Sequence, residues 1–142
     1  MSFALDTCDL LERRATFDAG AVYMAGEGAP AHDERAPPLL TVAWLDEPAG
    51  VTLEEVVAED LARQLAGPGV ALLDWEPTRV GGVEAVRTLV VHRAPGGLPT
   101  AGEQWRLVAD GRRWTLSALT ALGDQPAWGP RLAELAAGFA LA

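Results

Sequence analysis

The clearest structural signal in this chain is the stretch EQWRLVADGRRWTLSALT, residues 103–120. An Asp-Gly pair between alternating apolar residues, here Asp110-Gly111, is typical of a two-residue β-hairpin turn in which both central residues adopt positive φ. Because such a turn sets the register of its two strands, it predicts which side chains share a face. One face is apolar and consists of Trp105, Leu107, Trp114 and Leu116. We predict that other segments of the chain cover it.

The opposite face of this hairpin is mostly polar and carries the candidate binding residues. These residues are Gln104, Arg106, Arg113 and Thr115. One interpretation is an exposed strand face with polar cross-strand pairs. The other is a partner-binding surface, in which the arginines supply forked donors to an anionic group or an acidic peptide. The sequence leaves both interpretations open.

The clearest helix begins near Thr52. Residues 52–55 (TLEE) match a capping box, in which the Thr52 hydroxyl accepts a hydrogen bond from the Glu55 backbone and the Glu55 carboxylate accepts one from the Thr52 backbone. The apolar stripe of this helix consists of Leu53, Val56, Val57, Leu61 and Leu65. Gly67 and Pro68 end the pattern, so we predict a helix at about residues 52–66.

A second hairpin is predicted around Gly81-Gly82, between strands at residues 71–80 and 83–93. Its predicted cross-strand pairs are Arg79 with Glu84, Trp75 with Thr88 and Leu73 with Val90. Pro77 has no N–H to donate to a neighbouring strand, which predicts an edge position or a kink for the first of these strands.

The other strand predictions lie in the first third of the chain. Residues 3–6 and 11–17 are weak strand or short-helix patterns, and residues 20–25 indicate a strand. Residues 39–45 (LLTVAWL) predict a strand that is apolar on both faces, which suits a central position in a sheet. Residues 26–38 are rich in Gly, Pro and charged residues, and we predict that they form a mobile loop.

A second helix is predicted near the end of the sequence, at about residues 126–139. Apolar residues recur there at helical spacing: Trp128, Leu132, Leu135 and Phe139. Pro126 suits a first turn, whereas Pro130 in a helix interior lacks an N–H and clashes with the preceding turn. We therefore predict that the helix kinks or begins near Trp128. It is the expected cover for the apolar face of the first hairpin.

The element order predicts an α+β fold, with a mostly antiparallel sheet packed by two main helices. A length of 142 residues and a hydrophobic content of 49% predict a single domain at residues 1–142. The five tryptophans are spread along the chain. This spread indicates a shared core, or else a few rings left exposed at a partner surface.

The composition argues against several classes of partner. The formal net charge is −9 and there is no lysine, so the basic patch that binds nucleic acid or an anionic membrane surface is missing. No apolar run approaches the ~20 residues of a membrane span. The first residues lack the basic and apolar regions of a signal peptide. We expect a cytoplasmic protein without membrane insertion.

The sequence shows no cluster typical of catalysis or metal binding. His32 in the Gly/Pro-rich loop and His92 at a strand end lack partners at ligand spacing, and the neighbours of His32 are only a faint indication of a metal. Cys8 has no second cysteine and no base placed beside it. No glycine-rich phosphate-binding motif occurs. We expect a protein that is not an enzyme and uses no metal or cofactor.

The order of elements over about residues 51–139 resembles the PsbP-like fold family, which includes the bacterial DcrB-like domains. The matching features are the capped helix followed by Pro68-Gly69, the Gly81-Gly82 turn into VEAVR (83–87), the strand EQW (103–105), the segment WTLS (114–117), and a final helix from Trp128 to Phe139. The resemblance implies an α/β/α sandwich and a non-enzymatic adaptor or binding module. Residues 1–40 lack the Pro-x-x-Trp element with which family members tend to open.

Two hypotheses of function follow. The first is a non-enzymatic cytoplasmic interaction module, a chaperone or an adaptor, that binds a protein partner in an apolar groove along the sheet or at a dimer contact. This hypothesis leaves open whether the protein forms a homodimer. Related cytoplasmic chaperones of the family hold hydrophobic segments of secreted effectors, and the resemblance extends that expectation to this chain. The second hypothesis is a small-ligand binding protein with a pocket between sheet and helix.

Overall fold

The structure is a computed structural model that describes residues 3–4, 11–17, 20–25, 37–93 and 95–141. Cys8, His32 and the predicted mobile loop, except for residues 37 and 38, lie outside these ranges. The strands are β1 (Phe3–Ala4), β2 (Leu11–Phe17), β3 (Gly20–Ala25), β4 (Leu39–Asp46), β5 (Val70–Val80), β6 (Val83–His92), β7 (Thr100–Ala109), β8 (Arg112–Ala121) and β9 (Ala140–Leu141). The helices are α1 (Leu53–Leu65) and α2 (Gln125–Ala137).

Seven of these strands form one antiparallel sheet in the order β2-β3-β4-β8-β7-β6-β5, and β1 pairs with β9. The α+β class, the mostly antiparallel sheet and the two main helices are thereby confirmed. The weak patterns near the start of the chain are strands at Phe3–Ala4 and Leu11–Phe17. β4 lies inside the sheet between β3 and β8, as its apolar sequence predicted.

The central hairpin has the predicted turn and register. Asp110 and Gly111 both have positive φ, 55° and 72°. Leu107 pairs with Trp114, and Trp105 pairs with Leu116. The local chemistry of the turn therefore sets the two tryptophans on one face of β7 and β8.

That apolar face forms the main core together with α2. Trp105, Leu107, Trp114 and Leu116 are buried, and so are Trp128, Leu132, Leu135 and Phe139 from the end of the chain. The centroid of the Trp114 ring lies 5.6 Å from that of Trp44 and 5.5 Å from that of Phe139. Since the burial of each large apolar side chain stabilises a fold by about 1.5–3 kcal/mol, this cluster is the main stabilising feature. The predicted cover is confirmed.

The start of α2 differs from one of the predictions. The helix begins at Gln125, three residues before Trp128, with Pro126 in its first turn and Pro130 inside it. A start near Trp128 was therefore wrong. A proline in the first turn replaces an N–H that has no partner in the helix, which favours the earlier start.

α1 covers the other face of the sheet, and the capping box at its start is confirmed. The Glu55 N–H donates to the Thr52 hydroxyl at 3.2 Å, and the Thr52 N–H donates to the Glu55 carboxylate at 3.1 Å. Val56 and Val57 are buried, whereas Leu65 at the end of the predicted stripe is exposed. With α2 on the opposite face, the sheet is the middle layer of the predicted α/β/α sandwich.

The second hairpin turns at Gly81-Gly82 as predicted, and Arg79 pairs with Glu84. β5 is an edge strand of the sheet, which confirms the prediction from Pro77. The predicted pair of Leu73 with Val90 is wrong. The register shifts between Leu72 and Asp74, so Leu72 pairs with Val90 and Leu73 is the extra residue of a β-bulge.

Candidate functional site

Arg106, on the polar face of β7, is buried beneath α1 with 3% of its surface exposed. Its guanidinium donates to Asp60 at 3.2 Å, Thr88 at 3.0 Å, Gln104 at 2.7 Å and Gln64 at 3.3 Å. Burial lowers the pKa of Arg106, and the Asp60 carboxylate partly offsets this effect. The interpretation of an exposed strand face is therefore wrong at Arg106, because α1 packs on it.

Arg113 joins the same network from β8. Its guanidinium donates to Glu47, to Asp60 at 3.2 Å and to Glu59 at 3.4 Å. The hydrogen bond from Arg113 lowers the pKa of Glu47, and the same bond raises the pKa of Arg113. Asp60 thus lies between two guanidiniums, and the network ties α1 to the sheet.

The structure brings the four candidate residues together at one cleft. Gln104 and Thr115 are partly exposed beside Arg106 and Arg113, and the amide of Gln104 donates to Ser117 at 3.1 Å. The cleft has a volume of about 320 Å³. The remaining lining residues are Ala43, Trp44, Leu45, Asp60, Arg63 and Gln64. The arginine donors in it already bond to side chains of the protein, so an anionic ligand would have to compete with Asp60.

A second cleft of about 360 Å³ adjoins the first and shares Gln64 and Gln104 with it. Its apolar lining includes Leu39, Val70, Val90 and Leu119. Together the two clefts run between α1 and the exposed parts of β4 and β8, and we call them the α1 groove. Leu45 and Leu119 are 56% and 40% exposed, so the groove has an apolar, solvent-accessible surface.

Asp60 and Gln64 are the site residues that the sequence analysis missed. They lie one helical turn apart on α1, on the same side as Val56 and Val57, and both contact Arg106. A signal was present, because residues three and four apart on a helix share a face. Two polar residues on the apolar side of a helix indicate a buried polar partner on the sheet.

Of the other candidate residues, only His92 lies within the described ranges. His92 is exposed at the end of β6 and borders the second cleft. Within the described ranges no group of three or more His, Cys, Asp and Glu side chains lies close enough to hold a metal ion. None of the described helices is long and apolar enough to cross a membrane.

Comparison with known proteins finds similarity in structure alone. No family model matches the chain, and no curated protein matches its sequence. Cyanobacterial PsbP (CyanoP) from Synechocystis sp. PCC 6803 superimposes with a TM-score of 0.64 at 16% identity, over 99% of this chain and 92% of that chain. The fold is PsbP-like.

Two further structures extend this likeness. PA94, a protein of unknown function from Pseudomonas aeruginosa, gives a TM-score of 0.70 at 16% identity, over 87% of this chain and 90% of the other. LpqN, involved in cell envelope biogenesis of Mycobacterium tuberculosis, gives a TM-score of 0.72 at 14% identity, over 98% of this chain and 82% of the other. Identities this low show a common fold and no more, so the closer resemblance to DcrB-like domains stays a prediction.

Proposed function

We propose that this protein is a non-enzymatic interaction module that holds an apolar segment of a protein partner in the α1 groove. The observation that carries the proposal is the groove itself, which runs along the sheet beside α1 and presents leucines to solvent. Apolar surface of this kind marks binding sites, since its burial against a partner is favourable. A chaperone or adaptor role is the finer form of this proposal.

The groove fits a chain segment better than a small enclosed ligand. Leu45 and Leu119 lie at its surface and would stay in contact with water beside a small molecule, whereas an extended or helical apolar segment would cover both. The polar groups of Gln64 and Gln104 lie between the two clefts. They can donate to, or accept from, the backbone of a bound segment.

The non-enzymatic part of the proposal is supported by the charged groups of the groove. Asp60 pairs with both Arg106 and Arg113 at 3.2 Å, and Arg63 also pairs with Asp60 at 3.6 Å. Groups held in this way stabilise the position of α1. A cytoplasmic location, expected from the sequence, belongs to the proposal and is tested by fractionation of the native host with an antibody against the protein.

A small-ligand binding protein is the second candidate. The observation that favours it is the size of the clefts, about 320 and 360 Å³, which falls within the range of ligand pockets, and their position between sheet and helix. Under this alternative, small apolar compounds raise the melting temperature of the protein, and a carboxylate placed at Leu119 removes the effect.

The test uses a labelled, uncharged peptide of Leu and Ala with Ser and Asn at its ends. Fluorescence anisotropy should show binding to the wild-type protein, and Leu45→Glu/Leu119→Glu should weaken it at least about tenfold because two charges enter the apolar surface. Leu73→Glu/Trp75→Glu on β5 is the matched control, since it alters two exposed apolar residues that line neither cleft and should leave binding unchanged. Equal binding to both variants, or none to the wild type, would overturn the proposal.

A further inference from the structure

A second exposed apolar surface lies on the edge strand β5, and its chemistry differs from that of the α1 groove. Among the described side chains, six large hydrophobic residues are exposed, and three of them fall within four consecutive positions of β5. These are Leu72, Leu73 and Trp75, which are 38%, 61% and 49% exposed. We call these three residues the β5 patch. Such a concentration on an unpaired sheet edge is unusual, because edge strands are normally kept polar.

The patch is flanked by acidic clefts on both faces of the sheet. One cleft, on the α2 side, is lined by Asp74, Glu76 and Glu103 with Arg87 as their counter-charge. The other, beside the start of α1, is lined by Trp75 itself and by Glu54, Glu84 and Arg79. Five carboxylates therefore face two guanidiniums around the patch. This imbalance favours a partner that carries positive charge.

The alternation of side chains on β5 sets the pattern such a partner must present. Trp75 pairs with Thr88, which lies on the α1 face, whereas Asp74 and Glu76 reach Arg87 on the α2 face at 2.8 and 3.5 Å. Successive residues of a strand point to opposite faces. A segment lying along β5 would meet apolar surface with every second side chain and carboxylates with the others.

A second copy of this chain does not fit this pattern. Two β5 strands paired antiparallel about the patch would set Asp74 and Glu76 of one copy against those of the other, and opposed like charges destabilise a strand pair. Pro77 and the bulge at Leu73 further shorten the stretch that can form a regular ladder. Side-chain contacts must then contribute much of the binding free energy.

We propose that the β5 patch binds an extended segment of another protein in which aliphatic residues alternate with arginine or lysine. The aliphatic side chains pack on the β5 patch, and the basic side chains pair with Asp74 and Glu76. This surface is separate from the α1 groove, so either proposal can fail without the other.

The test uses two short labelled peptides of equal length, one of alternating Leu and Arg and one of alternating Leu and Glu. The Leu-Arg peptide should bind the wild-type protein in fluorescence anisotropy, more weakly as salt is added, and the Leu-Glu peptide should not. Leu73→Ser/Trp75→Ser should weaken binding at least about tenfold, because exposed residues can be replaced without loss of the fold and aromatic anchors dominate such contacts.

Two controls separate the patch from general attraction between opposite charges. Asp74→Asn/Glu76→Gln should weaken binding, whereas Asp46→Asn/Asp110→Asn, which removes the same charge from exposed positions at another end of the sheet, should have little effect. Leu45→Glu/Leu119→Glu in the α1 groove should bind the Leu-Arg peptide at least as well as the wild type. Equal losses of binding in the two charge variants would overturn the proposal. A wild-type dimer that Leu73→Ser/Trp75→Ser converts to a monomer would also overturn it, because a second copy of the chain would then cover the patch.

Discussion

Arg106 is a charged residue in the interior of the sandwich, and four side-chain acceptors surround it. Asp60 and Gln64 come from α1, Thr88 from β6 and Gln104 from its own strand. A buried charge is tolerated only when its donors are satisfied, since an unpaired one costs several kcal/mol. The four acceptors explain why α1 has polar residues on the side that faces the sheet.

The first prediction concerns the loss of this charge. Arg106→Ala should lower the free energy of unfolding by about 3–5 kcal/mol, because it leaves Thr88 and Gln104 without their donor and opens a cavity. Arg63→Ala is the matched control: Arg63 pairs with the same Asp60 but is largely exposed, so its loss should cost about 1 kcal/mol or less. Urea unfolding of the two variants measures the difference. Similar losses in both would show that burial of Arg106 contributes little.

Glu47 is one residue through which the free energy of unfolding depends on acid pH. The hydrogen bond from Arg113 lowers its pKa in the folded protein. The unfolded chain therefore binds a proton on Glu47 at a higher pH than the folded chain does. The stabilisation is complete above the ordinary value of about 4.3 and is lost as the pH falls through the lowered folded pKa.

The second prediction follows from the lowered pKa of Glu47 in the folded protein. Glu47→Gln should be less stable than the wild type at neutral pH, and its free energy of unfolding should fall less steeply below about pH 4. Glu134→Gln, which removes an exposed carboxylate from α2, serves as the control for net charge. Chemical unfolding between neutral and acid pH measures both. Parallel pH profiles of the free energy of unfolding for Glu47→Gln and the wild type would contradict the stabilising role of Glu47.

The turn between β5 and β6 lies against the backbone of Phe139, two residues after the end of α2. Gly81 and Gly82 both have positive φ, but a side chain at Gly81 would lie 2.6 Å from the carbonyl oxygen of Phe139, whereas one at Gly82 would meet open space. Substitutions at these two positions therefore separate the effect of positive φ on stability from the effect of a close contact.

The third prediction uses this pair. Gly82→Ala should cost about 1–2 kcal/mol, which is the strain of an L-residue at positive φ. Gly81→Ala should cost more, because its Cβ would also displace the backbone at Phe139. Thermal and urea unfolding compare the stabilities of the two variants. Equal destabilisation of both would mean that the contact with Phe139 relaxes without cost.

Elements with a local cause were predictable from the sequence. Asp110-Gly111 determines its own turn because the two residues tolerate positive φ, and Thr52 with Glu55 caps a helix through contacts three residues apart. The same holds for the position of Trp105 and Trp114 on one face of the hairpin, since a two-residue turn leaves one register. Local chemistry of this kind needs no knowledge of the rest of the fold.

Features that depend on distant parts of the chain were not predictable in this way. The bulge at Leu73 lies far from any turn residue, and nothing near it in sequence marks the extra residue. The burial of Arg106 depends on the position of α1, whose residues lie more than forty positions earlier. A polar strand face looks the same in sequence whether water or a polar helix surface covers it.

The two outer layers of the sandwich are held to the sheet by different forces. α2 and the residue pair after it bury large apolar side chains, which are Trp128, Leu132, Leu135 and Phe139. α1 buries Val56 and Val57 and is otherwise tied to the sheet by Asp60 and Gln64. Apolar burial stabilises a layer more than ion pairs do, because the pairs must first lose their hydration.

The fourth prediction is that α1 opens before the rest of the sandwich. Native-state hydrogen exchange should give the amides of α1 an opening free energy at least about 2 kcal/mol below that of α2, β7 and β8, since α1 lacks the large buried side chains of α2. The uncharged Leu-Ala peptide, bound in the α1 groove, should raise the protection of α1 more than that of α2. The same opening free energy for both helices would show instead that the Asp60 network holds α1 as firmly as the tryptophan core holds α2, and the groove wall would then be rigid.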